Sequence, residues 1–412
     1  MKWHHLPRGV GCSSYYEASW EYRRLLCILL TADHVTAERL LNSVSPIDVK
    51  RHLAIDLRMY RMAGIGRYLQ NLLPDLIPRL NASKISALGK SEEVAGEGWI
   101  SDPRIQFREF RPRIFSVAEQ WAAIYGEYRK VDLLWIPQYN LPLLYRGKLV
   151  VTIHDLCQLA NPETLANDLQ RAYAKYLLSS VAKRASAILC DSEFTASEMR
   201  KFLHVPRGRV VVAYPPMGNI WGSCDERRPR SSHPPYFLAV GSVKKHKNLP
   251  RLIAGFERIC HQIPEDLVIV GKRDGFLNSE TELRDIFSDT DGRIRFTGQV
   301  SDQELRVYYR NATALIFPSY YEGFGYPLVE AMAEGCPVAC SGVASLPEVA
   351  GDAALLFDPY SIEDIGRALL QIATEPTLRN TLADRGRQRV GRFAGAACAE
   401  LTAATINRLL QV

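Results

Sequence analysis

The sequence predicts two α/β units in tandem, each a doubly wound parallel sheet covered by helices on both faces, with the two units facing each other across a cleft. Three observations predict it. Short, continuously apolar runs alternate with helical apolar periodicity, the alternation breaks once in a proline-rich stretch, and it then starts again. Runs that are apolar on every residue suit strands buried on both faces, which is the habit of parallel sheets.

Residues 1–50 carry His4, His5 and an indistinct helical stretch, and stand as an N-terminal extension of unknown role. Leu53–Leu57 then reads as a buried strand, and Gly64-Ile65-Gly66 forms a glycine loop leading into a helix from Tyr68 to about Ile77. Strands follow at Leu133–Ile136 and Leu149–Ile153, a helix at Leu169–Ala185 and a strand at Ala187–Cys190, which completes a first unit over 51–214. Pro215, Pro216, Pro229, Pro234 and Pro235 make 215–235 a linker. The second unit, 236–390, begins with the strand Phe237–Val240 and the helix Leu249–Gln262. Strands at Leu267–Val270 and near Ile294–Phe296, the helix Asp302–Asn311 and the strand Ala314–Phe317 come next. The helix Leu328–Glu334, the strand Pro337–Cys340 and helices from Ile362 onward close it, and 391–412 reads as a C-terminal helix able to cross back to the first unit.

Composition narrows the function. With 47% hydrophobic and 23% charged residues over 412 positions, the chain is neither disordered nor fibrous. A net charge of +6 is a mild bias toward anionic partners and far short of a dedicated nucleic-acid domain. The longest N-terminal apolar run, Leu25–Leu30, is too short to span a bilayer, so the expected compartment is the cytoplasm. Nine scattered cysteines suggest reduced thiols. Cys336 and Cys340 lack partners at metal-ligand spacing, and no metal is expected.

In folds of this class ligands bind beyond the C-terminal ends of the strands, so the loops there hold the candidate site. Phe317–Glu330 is the richest: a strand end, a loop with Glu322, Gly323 and Gly325, and Pro327 where a helix starts. The glycines admit a ligand close to the backbone, the helix start favours an anion, and Glu330, placed in the first helical turn, can accept hydrogen bonds from vicinal sugar hydroxyls. Alternatively the glycines only make the turn and Glu330 only offsets the helix dipole. Gly241-Ser-Val-Lys244-Lys245-His246-Lys247-Asn248 supplies cations for a phosphate, or is a solvated basic loop. His154-Asp155 at a strand tip is either a sugar-hydroxyl contact or a structural pair. Gly64 and Gly66 lack the third glycine of a dinucleotide fingerprint.

In combination, GIGRY (64–68), TIHD (152–155), GSVKKHKNL (241–249), EGFGYPLVE (322–330) and SLPEVAGDAALLFDP (345–359) resemble the retaining glycosyltransferases of family 4, whose fold is GT-B, over roughly Leu53–Arg392. The resemblance implies that Lys247 binds the donor diphosphate, that Glu330 holds the nucleotide ribose, and that Glu322 stands beside the donor sugar near its 3-hydroxyl. It implies further that the backbone of Gly323, Phe324 and Gly325 faces that sugar, that His154 contacts its 6-hydroxyl, that Gly66 and the Gly64 loop lie near phosphates and acceptor, and that the backbone at Val300 meets the base. The family often has arginine where Ser242 stands, which leaves Lys244 to supply a second positive charge.

The implied reaction is transfer of a hexose from a nucleotide-diphosphate sugar to an acceptor hydroxyl with retention. The overall look resembles bacterial mannosyltransferases of O-antigen and exopolysaccharide assembly, so GDP-mannose is the expected donor, with UDP-glucose the alternative. The expected acceptor is lipid-linked or an oligosaccharide, and no metal or other cofactor is expected. Asp289-Thr-Asp291 reads as a polar turn rather than a metal-binding Asp-x-Asp. A sugar-nucleotide epimerase shares the twin-domain layout. Arg104–Arg113, with arginines alternating with aromatics, reads as a solvated edge, a contact with anionic lipid at the inner membrane face, or a nucleic-acid surface. Nucleic acid is not the expected partner.

Overall fold

A computed structural model describes residues 51–161, 167–218, 220–221, 234–271 and 292–411. The extension 1–50 and Asp289-Thr-Asp291 lie outside the described residues, as do 219 and 222–233 in the linker. Arg51–Val412 form one compact unit built on two sheets.

The first sheet contains β1 (His52–Asp56), β2 (Lys84–Gly89), β3 (Ile105–Glu109), β4 (Leu133–Ile136), β5 (Lys148–Ile153), β6 (Ala187–Cys190) and β7 (Val210–Val212), in the order β3-β2-β1-β4-β5-β6-β7. The second contains β8 (Tyr236–Val240), β9 (Asp266–Val270), β10 (Ile294–Gly298), β11 (Ala314–Phe317), β12 (Val338–Ser341) and β13 (Ala354–Phe357), in the order β10-β9-β8-β11-β12-β13. Every pairing is parallel, with Leu53 opposite both Ile85 and Leu133, and Leu315 opposite both Leu238 and Val338. The strand order reverses between β1 and β4 and again between β8 and β11, so each sheet opens a ligand crevice at that point.

The principal helices are α1 (Ala63–Leu76), α2 (Val117–Tyr125), α3 (Asp168–Arg184), α4 (Glu193–Leu203), α5 (Leu249–Ile259), α6 (Asp302–Asn311), α7 (Tyr326–Ala333), α8 (Leu346–Ala350), α9 (Ile362–Thr374), α10 (Pro376–Val390) and α11 (Gly395–Gln411). Their starts follow local chemistry. Asn167, Ser192, Ser301 and Ser361 cap α3, α4, α6 and α9 through side-chain oxygens, and Ser301 with Glu304 completes a capping box. Cores form on both faces of each sheet: Leu53, Ile55, Leu69 and Trp135 on one side of the first, Leu134, Val151, Ile153 and Leu178 on the other. The C-terminal helix α11 buries Cys398, Ala399, Ala403, Ile406 and Leu410 in the first of these cores, against α1. Asn407 anchors it, accepting from the Asn81 amide at 2.8 Å and donating to the Arg79 carbonyl at 2.9 Å.

Four strands were not expected from the sequence: β2, β3, β7 and β13. Ser86 and Gly89 interrupt the apolar run of β2, while β3, β7 and β13 sit at sheet edges and bury only part of their side chains. Two helix starts are also corrected. Helix α1 begins at Ala63, so Gly64 and Gly66 occupy its first turn and do not form a loop ahead of it. Helix α7 begins at Tyr326, which moves Glu330 from the first turn into the second, where it is 1% exposed. Arg104 is no surface cation: its guanidinium donates to the carbonyls of Ile77 (2.8 Å) and Leu80, tying β3 to the turn after α1.

Candidate active site

The C-terminal edge of the second sheet gathers most of the expected residues. Beyond β8, Lys245–Lys247 form one 3-10 turn, and Asn248 adopts φ 59° at the head of α5. Its amide does not cap the helix. It donates to the Pro318 carbonyl at 3.1 Å and the Pro359 carbonyl at 2.8 Å, so it fastens the basic loop to the tip of β11. Lys247 is thereby aimed across the crevice, where its Nζ donates to Glu322 Oε1 at 2.6 Å and lies 5.2 Å from the Phe317 ring centre. Both side chains are mostly buried, which strengthens their attraction over a surface pair. His246 lies beside them with its imidazole pushed down by burial, whereas Lys244 points to solvent. Val300, past the end of β10, is half-buried against the core.

The Glu322–Gly325 loop is held from two sides. Ser345 Oγ donates to the Glu322 carbonyl at 2.9 Å and the Phe324 carbonyl at 3.3 Å. The Phe324 ring is buried against Tyr326 and Phe393, leaving its backbone as the part able to meet a ligand. Gly325, at φ 96°, precedes α7, whose N-terminus carries no side-chain cap. Gly323 meets the first unit: a Cβ there would overlap the His154 carbonyl oxygen. Its own carbonyl accepts from Ser192 Oγ at 2.7 Å and Thr195 Oγ1 at 3.4 Å. Glu348 of α8 accepts from the Glu193 and Phe194 amides at 2.7 and 3.0 Å and so caps α4 from the opposite unit. The two sheets therefore meet through specific polar bonds at the site.

Glu330 faces the same seam. Arg67 of α1 donates to its Oε1, and Tyr309 donates to its Oε2 at 3.0 Å. Arg67 also pairs with Asp302 and stacks over Trp221. Burial pushes the Glu330 carboxyl up, and Arg67 opposes that shift without cancelling it. On the other wall, Gly66 packs on the Tyr60 backbone, and the space over Gly64 is open. His154 sits at the tip of β5 with Nδ1 2.7 Å from Asp191 Oδ2 and Nε2 2.8 Å from the Pro137 carbonyl. Both ring nitrogens are thus occupied, and a sugar hydroxyl would reach either one only in exchange for a partner.

The structure brings Lys247, Glu322, Gly323, Gly325, Glu330 and His154 to one seam, with Lys244 and Val300 at its margins. Arg67, Asp191, Ser192, Thr195 and Glu348 were not singled out from the sequence. Arg67 and Glu348 had a signal, since they lie within the GIGRY and SLPEVAGDAALLFDP segments; Asp191, Ser192 and Thr195 depend on partners far along the chain. At the switch point of the first sheet, buried Arg58 bridges Asp56 and Glu119, and Asn140 donates to Glu119 Oε1 at 3.2 Å.

Comparison with known proteins agrees with this layout. A profile described as "Glycosyl transferases group 1" matches residues 225–389, and one described as "Glycosyltransferase Family 4" matches 62–217. The O-antigen chain mannosyltransferase B of Escherichia coli is 31% identical over 288 residues, covering 66% of this chain and 72% of that protein. The O-antigen chain mannosyltransferase RfbU of Salmonella typhimurium is 27% identical, covering 60% and 67% respectively. Among solved structures, WaaG, described as a glycosyltransferase involved in lipopolysaccharide biosynthesis, superposes with a TM-score of 0.64 at 15% identity over 86% of this chain and 99% of its own. Anabaena HepE in complex with UDP and glucose gives 0.65 at 14% identity over 87% and 100%. With two parallel Rossmann-like sheets, the GT-B arrangement and profiles that together span most of residues 62–389, the chain belongs to the group 1 glycosyltransferase family and is a glycosyltransferase.

Proposed function

We propose that the enzyme moves mannose from GDP-mannose to a hydroxyl of a lipid-linked or oligosaccharide acceptor in O-antigen or exopolysaccharide assembly, with retention at the anomeric carbon and without a metal. The observation that carries the reading is the Lys247–Glu322 pair, set at the β8/β11 crevice on the same seam as Glu330 and the uncapped start of α7. Lys247 and the α7 amides take the charge of the departing diphosphate, Glu322 and the Gly323–Gly325 backbone hold the hexose, and Glu330 accepts from the ribose in exchange for Arg67 or Tyr309. Lys244 adds charge at the phosphates, His154 stands by the 6-hydroxyl, Gly64 and Gly66 bring the start of α1 near the phosphates and acceptor, and the Val300 backbone meets the base. The mannose-specific part of the reading is supported by the O-antigen mannosyltransferases among the relatives.

Double displacement needs a free carboxylate nucleophile beside the anomeric carbon. Glu322 is instead ion-paired with Lys247, which favours substitution on one face through an oxocarbenium-like state. The bond from the anomeric carbon to the diphosphate oxygen breaks, the bond to the acceptor oxygen forms, and the acceptor's proton passes to the leaving diphosphate. Among the described residues, no helix is long and apolar enough to cross a membrane. A lipid-linked acceptor would be met peripherally at the inner face of the cell membrane.

A thermal-shift and hydrolysis screen over GDP- and UDP-sugars tests the donor, because a ligand of the native state raises its apparent stability. NMR of the product's anomeric proton then tests retention. GDP-mannose is expected to give the largest shift; a preference for UDP-glucose overturns the donor, and an inverted product overturns the mechanism.

A further inference from the structure

We infer that Asp191 is a positioning residue that keeps His154 as an imidazolium with both N–H bonds committed, fixing a positive charge at the tip of β5 beneath the donor loop. The inference rests on the reading of this seam as a sugar-transfer site.

The geometry sets the proton count. His154 Nδ1 faces a carboxylate oxygen at 2.7 Å and Nε2 faces a backbone carbonyl at 2.8 Å. The Pro137 carbonyl and an ionised Asp191 only accept, and a neutral imidazole carries only one N–H. With Asp191 ionised, only the doubly protonated ring satisfies both bonds; burial pushes the Asp191 carboxyl up toward the alternative, a neutral carboxyl donating to a neutral ring, and the His154 charge opposes that shift. Asp191 is 4% exposed, its Oδ2 takes His154, and its Oδ1 has no hydrogen-bond partner among the described residues, so its charge is balanced chiefly by this ring. Burial alone would push the histidine down; the Asp191 charge and hydrogen bond overcome it and hold the ring above its ordinary value.

The surroundings leave Asp191 in control. Tyr68 of α1 lies edge-on to the His154 ring at 5.0 Å, and Tyr326 of α7 and Cys398 of α11 approach Asp191. Burial drives both phenols well up and the Cys398 thiol to about 12, so these three stay neutral near pH 7. The neighbouring thiol of Cys190 is pushed up as well. The carboxylates acting on the ring are Asp191 and, more weakly, Asp155. Residue 192 is the next link: Ser192 Oγ donates to the Gly323 carbonyl, and the His154 carbonyl lies against Gly323. One dipeptide at the tip of β6 therefore orients the histidine ring and grips the donor loop.

The test is 15N-edited NMR of histidine-labelled full-length protein, with His154→Asn used only to assign the signal, together with pH profiles of wild type and Asp191→Asn. Two ring N–H signals from His154 at pH 7.5 are expected, and a single one overturns the inference without any variant having to fold. In Asp191→Asn the ring loses its counter-charge while burial still pushes it down, so it becomes neutral as pH rises. The variant should then match wild type most closely near pH 6 and fall roughly tenfold behind in kcat by pH 8, with donor KM little changed. Superimposable pH profiles overturn the positioning role. If no nucleotide sugar is turned over, the transferase reading fails on its own, while the NMR signals still decide the charge on His154.

Discussion

Arg67→Ala removes the cation that crosses from α1 to the buried Glu330. Deleting one partner of a fully buried ion pair costs about 3–5 kcal/mol. Glu330 is 1% exposed, but the Arg67 side chain is 26% exposed and the Tyr309 hydroxyl remains at 3.0 Å. The expected loss is therefore about 2 kcal/mol, roughly thirtyfold in the unfolding equilibrium. The Asp302 arm is too exposed to add more than a few tenths of a kcal/mol. The loss must depend on pH in one direction. Burial raises the native Glu330 carboxyl, and without Arg67 it rises further. A group raised in the native state contributes stability that is full below its unfolded value and is lost as pH rises through the native one. Protonated Glu330 needs no cation, so the cost of Arg67→Ala should shrink at pH 5 and be full at pH 8. Urea unfolding followed by tryptophan emission reads it, since Trp221 lies beneath Arg67 and against Tyr309. A change below about 0.5 kcal/mol at pH 8, the size of an ordinary surface substitution, refutes the latch, as does a cost that grows toward acid pH.

Lys247→Ala should lower kcat about 100- to 1000-fold at saturating donor, the usual result of deleting a group that stabilises developing charge, and near-normal turnover in a steady-state assay would remove Lys247 from the leaving-group role. Gly323→Ala places a methyl into the His154 carbonyl and should cost about 1–3 kcal/mol while prising the units apart, read as a lower melting temperature and a larger radius of gyration by small-angle scattering. Glu348→Gln weakens the cap on α4 supplied across the seam and should cost about 1 kcal/mol in thermal melts, with an unchanged melting temperature counting against it. Activity in excess EDTA should equal activity in added Mg²⁺; strict dependence on a divalent ion would overturn the metal-free mechanism.

How much of this could be read from the sequence follows from where the information lies. Strands such as Leu133–Ile136 and Ala314–Phe317 are apolar at every position because both sheet faces are covered, and that pattern is local. Edge strand β3 shows one packed face and one wet face, and Arg104, immediately before it, resembles a surface charge until its carbonyl partners are known. The residues around Glu322 and Lys247 stood out because glycines, prolines and charges cluster at strand ends. Their direct pairing, and the occupation of Glu330 by Arg67 263 positions away, depend on how the units meet, and no local spacing encodes that. Asp191 directly follows an apolar strand, and its meaning appears only when β5 lies beside β6 and brings His154 to it.

The return of α11 to the first sheet bears on how the protein is made. Ribosomal synthesis usually lets an N-terminal domain fold before the rest of the chain has emerged. Here Ala399, Ile406 and Leu410 fill the same core as Leu53 and Leu69. The first sheet must wait, with that apolar face uncovered, while more than 180 further residues are translated (395 − 212 = 183). Chaperone engagement during synthesis should therefore fall on the first half of the chain and end only once residues 395–411 have cleared the exit tunnel.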